Sequence, residues 1–250
     1  MKRLLLRVLA GLGLLLAAIV IGFVIWGSTP QAATDGALQA LVSDSAVTVT
    51  TDKWITFSPA HQAPRAGLIV YPGGHVDPRA YAPLARQIAA QGYRVVIVPM
   101  PLALAVLAPN RALQVMAHDS SIETWAIGGH SLGGAMAARF AYTHPAAVEG
   151  LVLWAAYPAS TDDLSDFDIV VTSIYGTLDG LSTGSKIDAS RPLLPPDTRW
   201  VAIEGGNHAQ FGDYGPQVGD NQATLPAAEQ QAQAAGATAG LLEDMVRAAR

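Results

Sequence analysis

The spacing of hydrophobic and polar positions changes several times along this chain, and each change marks an element. From residue 8 to residue 26 no side chain is charged, and most are Leu, Ile, Val, Ala or Gly. At 1.5 Å per residue a helix over this run reaches roughly 28 Å, about the hydrocarbon thickness of a bilayer. Residues 47–50 and 54–57 alternate at period two around Thr51-Asp52-Lys53, which predicts a β-hairpin. Apolar runs at 67–71, 93–98, 125–129, 151–156, 168–175 and 200–203 predict further strands, with the continuous ones buried on both faces. Residues 81–91 carry Leu84, Ile88 and Ala89 at helical spacing and stop at Gly92. Residues 102–116 read as a helix interrupted near Pro109. Residues 227–250 read as one or two closing helices, with Leu241, Leu242, Met245 and Val246 on one face. From residue 67 onward strands and helices alternate, which predicts an α/β fold: a mostly parallel sheet with helices on both faces.

Charge then divides the chain. Lys2, Arg3 and Arg7 precede the apolar run, so that end stays cytoplasmic and the remainder lies on the extracytoplasmic side. The run is longer than a usual signal-peptide core, and Pro30-Gln31-Ala32-Ala33 is a poor cleavage site. An uncleaved signal anchor is therefore preferred to secretion after cleavage. Residues 1–27 form the transmembrane segment, 28–36 a short polar linker, and 37–250 one domain, because that length supports a single core. The net charge is −5 with no basic run beyond the start, which argues against nucleic acid as a partner. There is no cysteine, so disulfides, a thiol nucleophile and thiolate metal sites are excluded. No cofactor-binding loop or metal cluster stands out. Asp213 and Asp220, in a Gly-rich stretch, read as a solvated turn.

In parallel sheets of this kind ligands bind beyond the carboxyl ends of the strands, and the reactive residue types fall there. Gly129-His130-Ser131-Leu132-Gly133 follows a strand and opens a helix. Such a Gly-x-Ser-x-Gly turn projects a nucleophilic serine, and side chains at Gly129 or Gly133 would collide where the helix folds back. Chance gives the bare pattern about 0.1 times in a chain this long, so its context decides. Asp179 follows the strand ending at Tyr175, in Gly176-Thr177-Leu178-Asp179-Gly180. It can orient an imidazole better than Asp162, Asp163 or Asp166 in a polar loop, or Asp168 at a strand's far end. His208 follows the last strand in Glu204-Gly205-Gly206-Asn207-His208. The order Ser131, Asp179, His208 is nucleophile, acid, base, with neutral His208 taking the serine proton; protonation at acid pH should stop the reaction. An oxyanion needs two N–H donors. Leu132 supplies one. The other comes from Tyr71-Pro72-Gly73-Gly74-His75, where Pro72 has no N–H and Gly74 is preferred. Tyr71, His75 and His130 are candidate substrate-pocket residues.

Together, the Tyr-Pro-Gly-Gly-His, Gly-Gly-His-Ser-Leu-Gly-Gly, Tyr-Gly-Thr-Leu-Asp-Gly and Glu-Gly-Gly-Asn-His-Ala-Gln-Phe-Gly stretches resemble the α/β-hydrolase fold-5 group of bacterial proteins. That group is similar to the dienelactone-hydrolase branch, whose nucleophile is cysteine where this chain has Ser131. The resemblance spans about residues 37–250. It implies the α/β-hydrolase fold and a carboxylic-ester hydrolase, without naming a substrate; with the Ser-His-Asp set read above this means an acyl-enzyme intermediate and no cofactor, and a site anchored at a membrane could take a small-molecule or a lipid ester. Acyl transfer, amide cleavage, or binding without catalysis would use the same scaffold. Residues 157–167 leave no room for a cap domain between two strands.

Overall fold

The structure, a computed structural model, describes residues 2–248. Met1, Ala249 and Arg250, at the two ends of the expected anchor and closing helix, lie outside the described residues. Helix α1 (Lys2–Gly27) is the apolar N-terminal segment, and its Leu9–Gly27 portion is long and apolar enough to cross a membrane. A short helix α2 (Asp35–Gln39) follows, capped by the Thr34 hydroxyl, which accepts from the Ala37 N–H.

One eight-stranded sheet forms the domain. Its strands are β1 (Val47–Thr50), β2 (Ile55–Pro59), β3 (Gly67–Tyr71), β4 (Arg94–Ile97), β5 (Trp125–His130), β6 (Gly150–Trp154), β7 (Val170–Gly176) and β8 (Arg199–Ile203). They lie in the order β1-β2-β4-β3-β5-β6-β7-β8. The β1–β2 hairpin joins antiparallel to β4, and every pairing from β4 across to β8 is parallel. This is the α/β-hydrolase fold. The central strands β3, β5 and β6 are buried along their whole length, as their unbroken apolar runs require.

Two hydrophobic layers cover the sheet. On one face pack α3 (Ala82–Ala89) and α7 (Ala227–Ala248), through Leu84, Ile88, Leu241, Leu242 and Met245. Trp154 of β6 also donates its indole N–H to Thr238 Oγ1 of α7 at 3.1 Å. On the other face lie α4 (Ala112–His118) and α5 (Leu132–Thr143), through Val115, Ala137, Ala138 and Phe140. Helix α6 (Gly184–Ser190) follows β7; its weak apolar pattern gave no signal in the sequence. Residues 155–169 join β6 to β7 without a helix, so no cap domain is evident among the described residues.

The expected helix over 102–116 is corrected. Residues 101–103 and 105–107 form isolated 3₁₀ turns, and a regular helix begins only at Ala112. Leu102 and Ala103 sit at φ 50° and 53°, outside the helical region. Pro99, Pro101 and Pro109 also remove amide donors from this stretch.

The tightest packing lies where β3, β5 and α5 meet. A Cβ on Gly133 would stand 2.1 Å from the Tyr71 carbonyl oxygen, and one on Gly129 2.4 Å from the same atom. Neither backbone can yield without separating β3 from the helix. Gly133→Ala should cost about 1–3 kcal/mol, the usual range for overpacking. That corresponds to a melting temperature lower by roughly 2–12 °C for a domain of this size. Thermal denaturation monitored by circular dichroism checks it, and an unchanged midpoint would contradict the packing described.

Candidate active site

Ser131 stands between β5 and α5 with φ 52° and ψ −122°, a conformation a non-glycine residue adopts only when its surroundings enforce it. The enforcement is visible. The Ser131 N–H donates to the Trp154 carbonyl of β6 at 3.0 Å, and the Ser131 carbonyl accepts from Ala135 N–H at 3.0 Å. The glycine contacts above close the turn from both sides. Ser131 keeps partial exposure although its neighbour His130 is buried.

Asp179 and His208 come together from the ends of β7 and β8. His208 Nδ1 lies 2.8 Å from Asp179 Oδ2, and both side chains are buried. The other carboxylate oxygen accepts from Leu181 N–H at 2.8 Å and Ser182 N–H at 2.6 Å, which fixes the acid's orientation. With Nδ1–H directed at the carboxylate, His208 presents Nε2 as an acceptor, and this buried atom has no hydrogen-bond partner. The Ser131 hydroxyl is therefore not hydrogen-bonded to it; catalytic hydrogen bonds of this type are often long before substrate binds. The competing acid Asp162 is buried in an ion pair with Arg139 of α5, 2.5 Å away, and is committed there.

The loop after β3 spends its amides unevenly. Gly73 N–H donates to the Tyr81 hydroxyl at 2.9 Å, and His75 N–H donates to the Ala103 carbonyl at 2.8 Å. Gly74 lies between them and beside the helix start: a Cβ there would come within 3.0 Å of Leu132 Cδ2. The Gly74 amide is thus the one in this loop left next to Leu132.

The three candidate pocket residues each have internal partners. The Tyr71 side chain is fully buried, donating to the Pro109 carbonyl and accepting from Ala112 N–H, both at 2.8 Å. His75 turns toward the N-terminal helix. Its ring stacks on Trp26 at 4.2 Å, and Nε2 lies 2.7 Å from the Trp26 carbonyl. His130 is buried under His208, with ring centroids 4.5 Å apart, and its Nδ1 lies 2.8 Å from the Tyr81 hydroxyl. Because that hydroxyl already accepts from Gly73, its proton goes to Nδ1, which places the His130 proton on Nε2. Burial, and then the adjacent His208, hold the His130 pKa well below the usual imidazole range.

Several residues that position the site gave no motif in the sequence. Tyr81 joins the Gly73 loop to His130. Asp220, expected in a solvated turn, accepts from Gly180 N–H at 3.0 Å and Ala209 N–H at 2.9 Å. It therefore ties the residue after Asp179 to the residue after His208. Gln230, buried on α7, clasps the Asn207 backbone: Oε1 accepts from its N–H at 3.0 Å and Nε2 donates to its carbonyl at 2.7 Å. A cleft of about 550 Å³ flanks this base loop, lined by Asn207, Gln210 and Asp220 among others, and it does not include Ser131. Among the described residues no cluster of His, Asp or Glu could hold a metal ion.

Residues 67–232 match the alpha/beta hydrolase family. The chain belongs to the alpha/beta hydrolase family. No curated protein matches it. Among solved structures, this hydrolase resembles a bacterial membrane phospholipase A at 14% identity and a TM-score of 0.62, covering 99% of each chain. It resembles the esterase domain of a Rhodothermus marinus protein at 13% identity and a TM-score of 0.59, covering 77% of this chain and 92% of that one. A bacterial heroin esterase is similar at 16% identity and a TM-score of 0.57, covering 83% and 88%. At these identities the likeness speaks to the fold. Hydrolase activity follows from the family.

His130 predicts how stability depends on pH. It stays neutral in the folded chain and titrates near pH 6.5 when unfolded, so below that pH only the unfolded state binds its proton. Stability should fall as pH drops below about 6.5, toward the folded-state pKa, with a slope of up to about 1.4 kcal/mol per pH unit from this residue. Urea unfolding across pH 4.5–7.5 reads the slope. His130→Asn should flatten it; equal slopes in both proteins would contradict the burial argument.

Proposed function

We propose that this hydrolase cleaves carboxylic esters through Ser131, His208 and Asp179, with Gly74 and Leu132 supplying the oxyanion donors. The reading rests on one observation above the rest. His208 is fixed by Asp179 with a free Nε2, its ring 4.5 Å from that of His130, the residue just before a serine held at φ 52° at the head of a helix. The esterase and phospholipase among its structural relatives are in keeping with it.

His208 Nε2 takes the Ser131 proton as Oγ attacks the ester carbonyl. Negative charge develops on the carbonyl oxygen, where the Gly74 and Leu132 amides donate to it. The intermediate collapses, the C–O bond breaks, and the leaving alkoxide takes the proton from His208. Water then attacks the acyl-serine by the same route in reverse. It gives its proton to His208, and Ser131 recovers it as the acid leaves. Asp179 holds the imidazole in the required tautomer and stabilises its cation throughout.

We assign α1 as an uncleaved signal anchor, with Lys2, Arg3 and Arg7 in the cytoplasm and the domain on the extracytoplasmic side. Its last turn packs against the domain instead of ending in slack chain: Trp26 stacks on His75, and Gly27 lies against Leu102.

A fluorophosphonate probe should label the parent protein and leave Ser131→Ala unlabelled. Ser131→Ala and Asp179→Asn should each lower kcat for p-nitrophenyl acetate by about 10⁴-fold, with unchanged circular dichroism. A folded parent protein that neither labels nor turns over the ester would sink the reading.

A further inference from the structure

Residues 99–109 read Pro-Met-Pro-Leu-Ala-Leu-Ala-Val-Leu-Ala-Pro, eleven residues without one polar side chain. A run of this kind normally goes into a core. Here Val106 and Leu107 are 51% and 49% exposed. Contiguous exposed apolar surface of this sort marks a docking site.

Contacts on both sides fix where this loop stands. Toward the N-terminus, a Cβ on Gly27 would lie 2.6 Å from Leu102 Cβ, so the end of α1 is pressed onto the loop. A small groove of about 250 Å³ runs between them, lined by Gly27, Pro30, Met100 and Leu102 among others. Toward the candidate site, Ala103 accepts the His75 N–H, and Leu104 Cδ2 lies 3.8 Å from the place a Gly74 Cβ would take. The chain leaving α1 is also not free to swing. Gln31 N–H donates to the His75 carbonyl and Gln31 accepts from Asp77 N–H, both at 2.9 Å, while Thr34 N–H donates to the Asp213 carbonyl at 2.9 Å. The residues expected to be a linker are stitched along the domain.

We propose that loop 99–109 is a membrane-docking rim continuous with the anchor, and that the substrate is an acyl ester of a lipid resident in the facing leaflet. The inference rests on the proposed serine-esterase reading and on α1 spanning the bilayer. With α1 in the membrane and its exit clamped to the domain, Val106 and Leu107 are held at the bilayer surface, where their apolar side chains enter the interface. Through Ala103 and Leu104 the same loop touches His75 and Gly74 of the proposed oxyanion loop. A lipid ester carbonyl sits near the boundary of headgroup and acyl chains, so it reaches Ser131 by a short displacement without crossing open water. Hydrolysis adds water across the acyl C–O bond, releasing a fatty acid and the deacylated lipid.

The full-length protein tests this in vesicles of equal parts dioleoyl-phosphatidylethanolamine and dioleoyl-phosphatidylglycerol. The chain has no cysteine, so Leu107→Cys offers a single labelling position for an environment-sensitive fluorophore. Lipid-borne quenchers should quench a label at Leu107→Cys and not one at Glu123→Cys, which precedes β5 at the opposite end of the sheet. Equal quenching at both positions, or at neither, overturns the docking rim. The double variant Val106→Asp, Leu107→Asp should release fatty acid from the vesicles roughly tenfold or more slowly. It should keep p-nitrophenyl acetate turnover within about twofold, as surface substitutions do. Loss of both activities, or of neither, contradicts the proposal. A parent protein that turns over p-nitrophenyl acetate but releases no fatty acid defeats the lipid substrate and leaves the esterase reading standing. Failure on both substrates together with no fluorophosphonate label defeats the esterase reading itself.

Discussion

The close approach of Gly129 and Gly133 to the Tyr71 carbonyl carries the architecture of the site. It brings β5, α5 and β3 closer than any side chain would allow. Two consequences follow from that one contact. The chain between β5 and α5 has no room for an ordinary turn, so Ser131 takes its strained φ of 52° and projects from the sheet. The loop leaving β3 is also set against the start of α5, which places Gly74 beside Leu132. Ser131 and the Gly74–Leu132 pair, the proposed nucleophile and oxyanion donors, are thus positioned by backbone packing, before any side-chain interaction is counted.

Asp179 and His208, the proposed acid and base, are positioned differently, by hydrogen bonds between loops. Asp179 is held by two amides of its own turn, and Asp220 and Gln230 brace the base loop from the C-terminal third of the chain. His130 joins the two halves. It hydrogen-bonds through Tyr81 to the Gly73 amide and packs its ring on His208. A burial that keeps this imidazole neutral also keeps a positive charge away from His208. The same β3 loop meets the N-terminal helix through His75 and Trp26, so the Gly73–Gly74 side of the candidate site and the apolar segment share one structural seam.

The strands were legible because buried parallel strands are unbroken apolar runs, and β3, β5 and β6 each appear as one. Ser131, Asp179 and His208 could be picked out as candidates for a related reason: each lies within five residues of a strand's carboxyl end, where this topology places ligand sites. The family match bears out the fold and the hydrolase class. What escaped was decided by partners far away in sequence. Loop 99–109 looks helical by composition, yet proline and the left-handed Leu102 and Ala103 break it against α1. The partners of Tyr71, His75 and His130, which are Pro109, Trp26 and Tyr81, could not be read from the sequence either. Asp220 has the surroundings of a surface turn, and only the folded chain brings Gly180 and Ala209 to its two oxygens.

The proposed chemistry turns on which atoms receive the ester carbonyl. A crystal structure of the full chain after reaction with a fluorophosphonate tests it most directly, because the phosphonyl group mimics the tetrahedral intermediate. A covalent bond from phosphorus to Ser131 Oγ is expected, with the phosphoryl oxygen about 3 Å from the Gly74 and Leu132 amide nitrogens. His208 Nε2 should lie within hydrogen-bond reach of Ser131 Oγ or the leaving-group side of the adduct. An adduct on another residue, or a phosphoryl oxygen held by other donors, would contradict it.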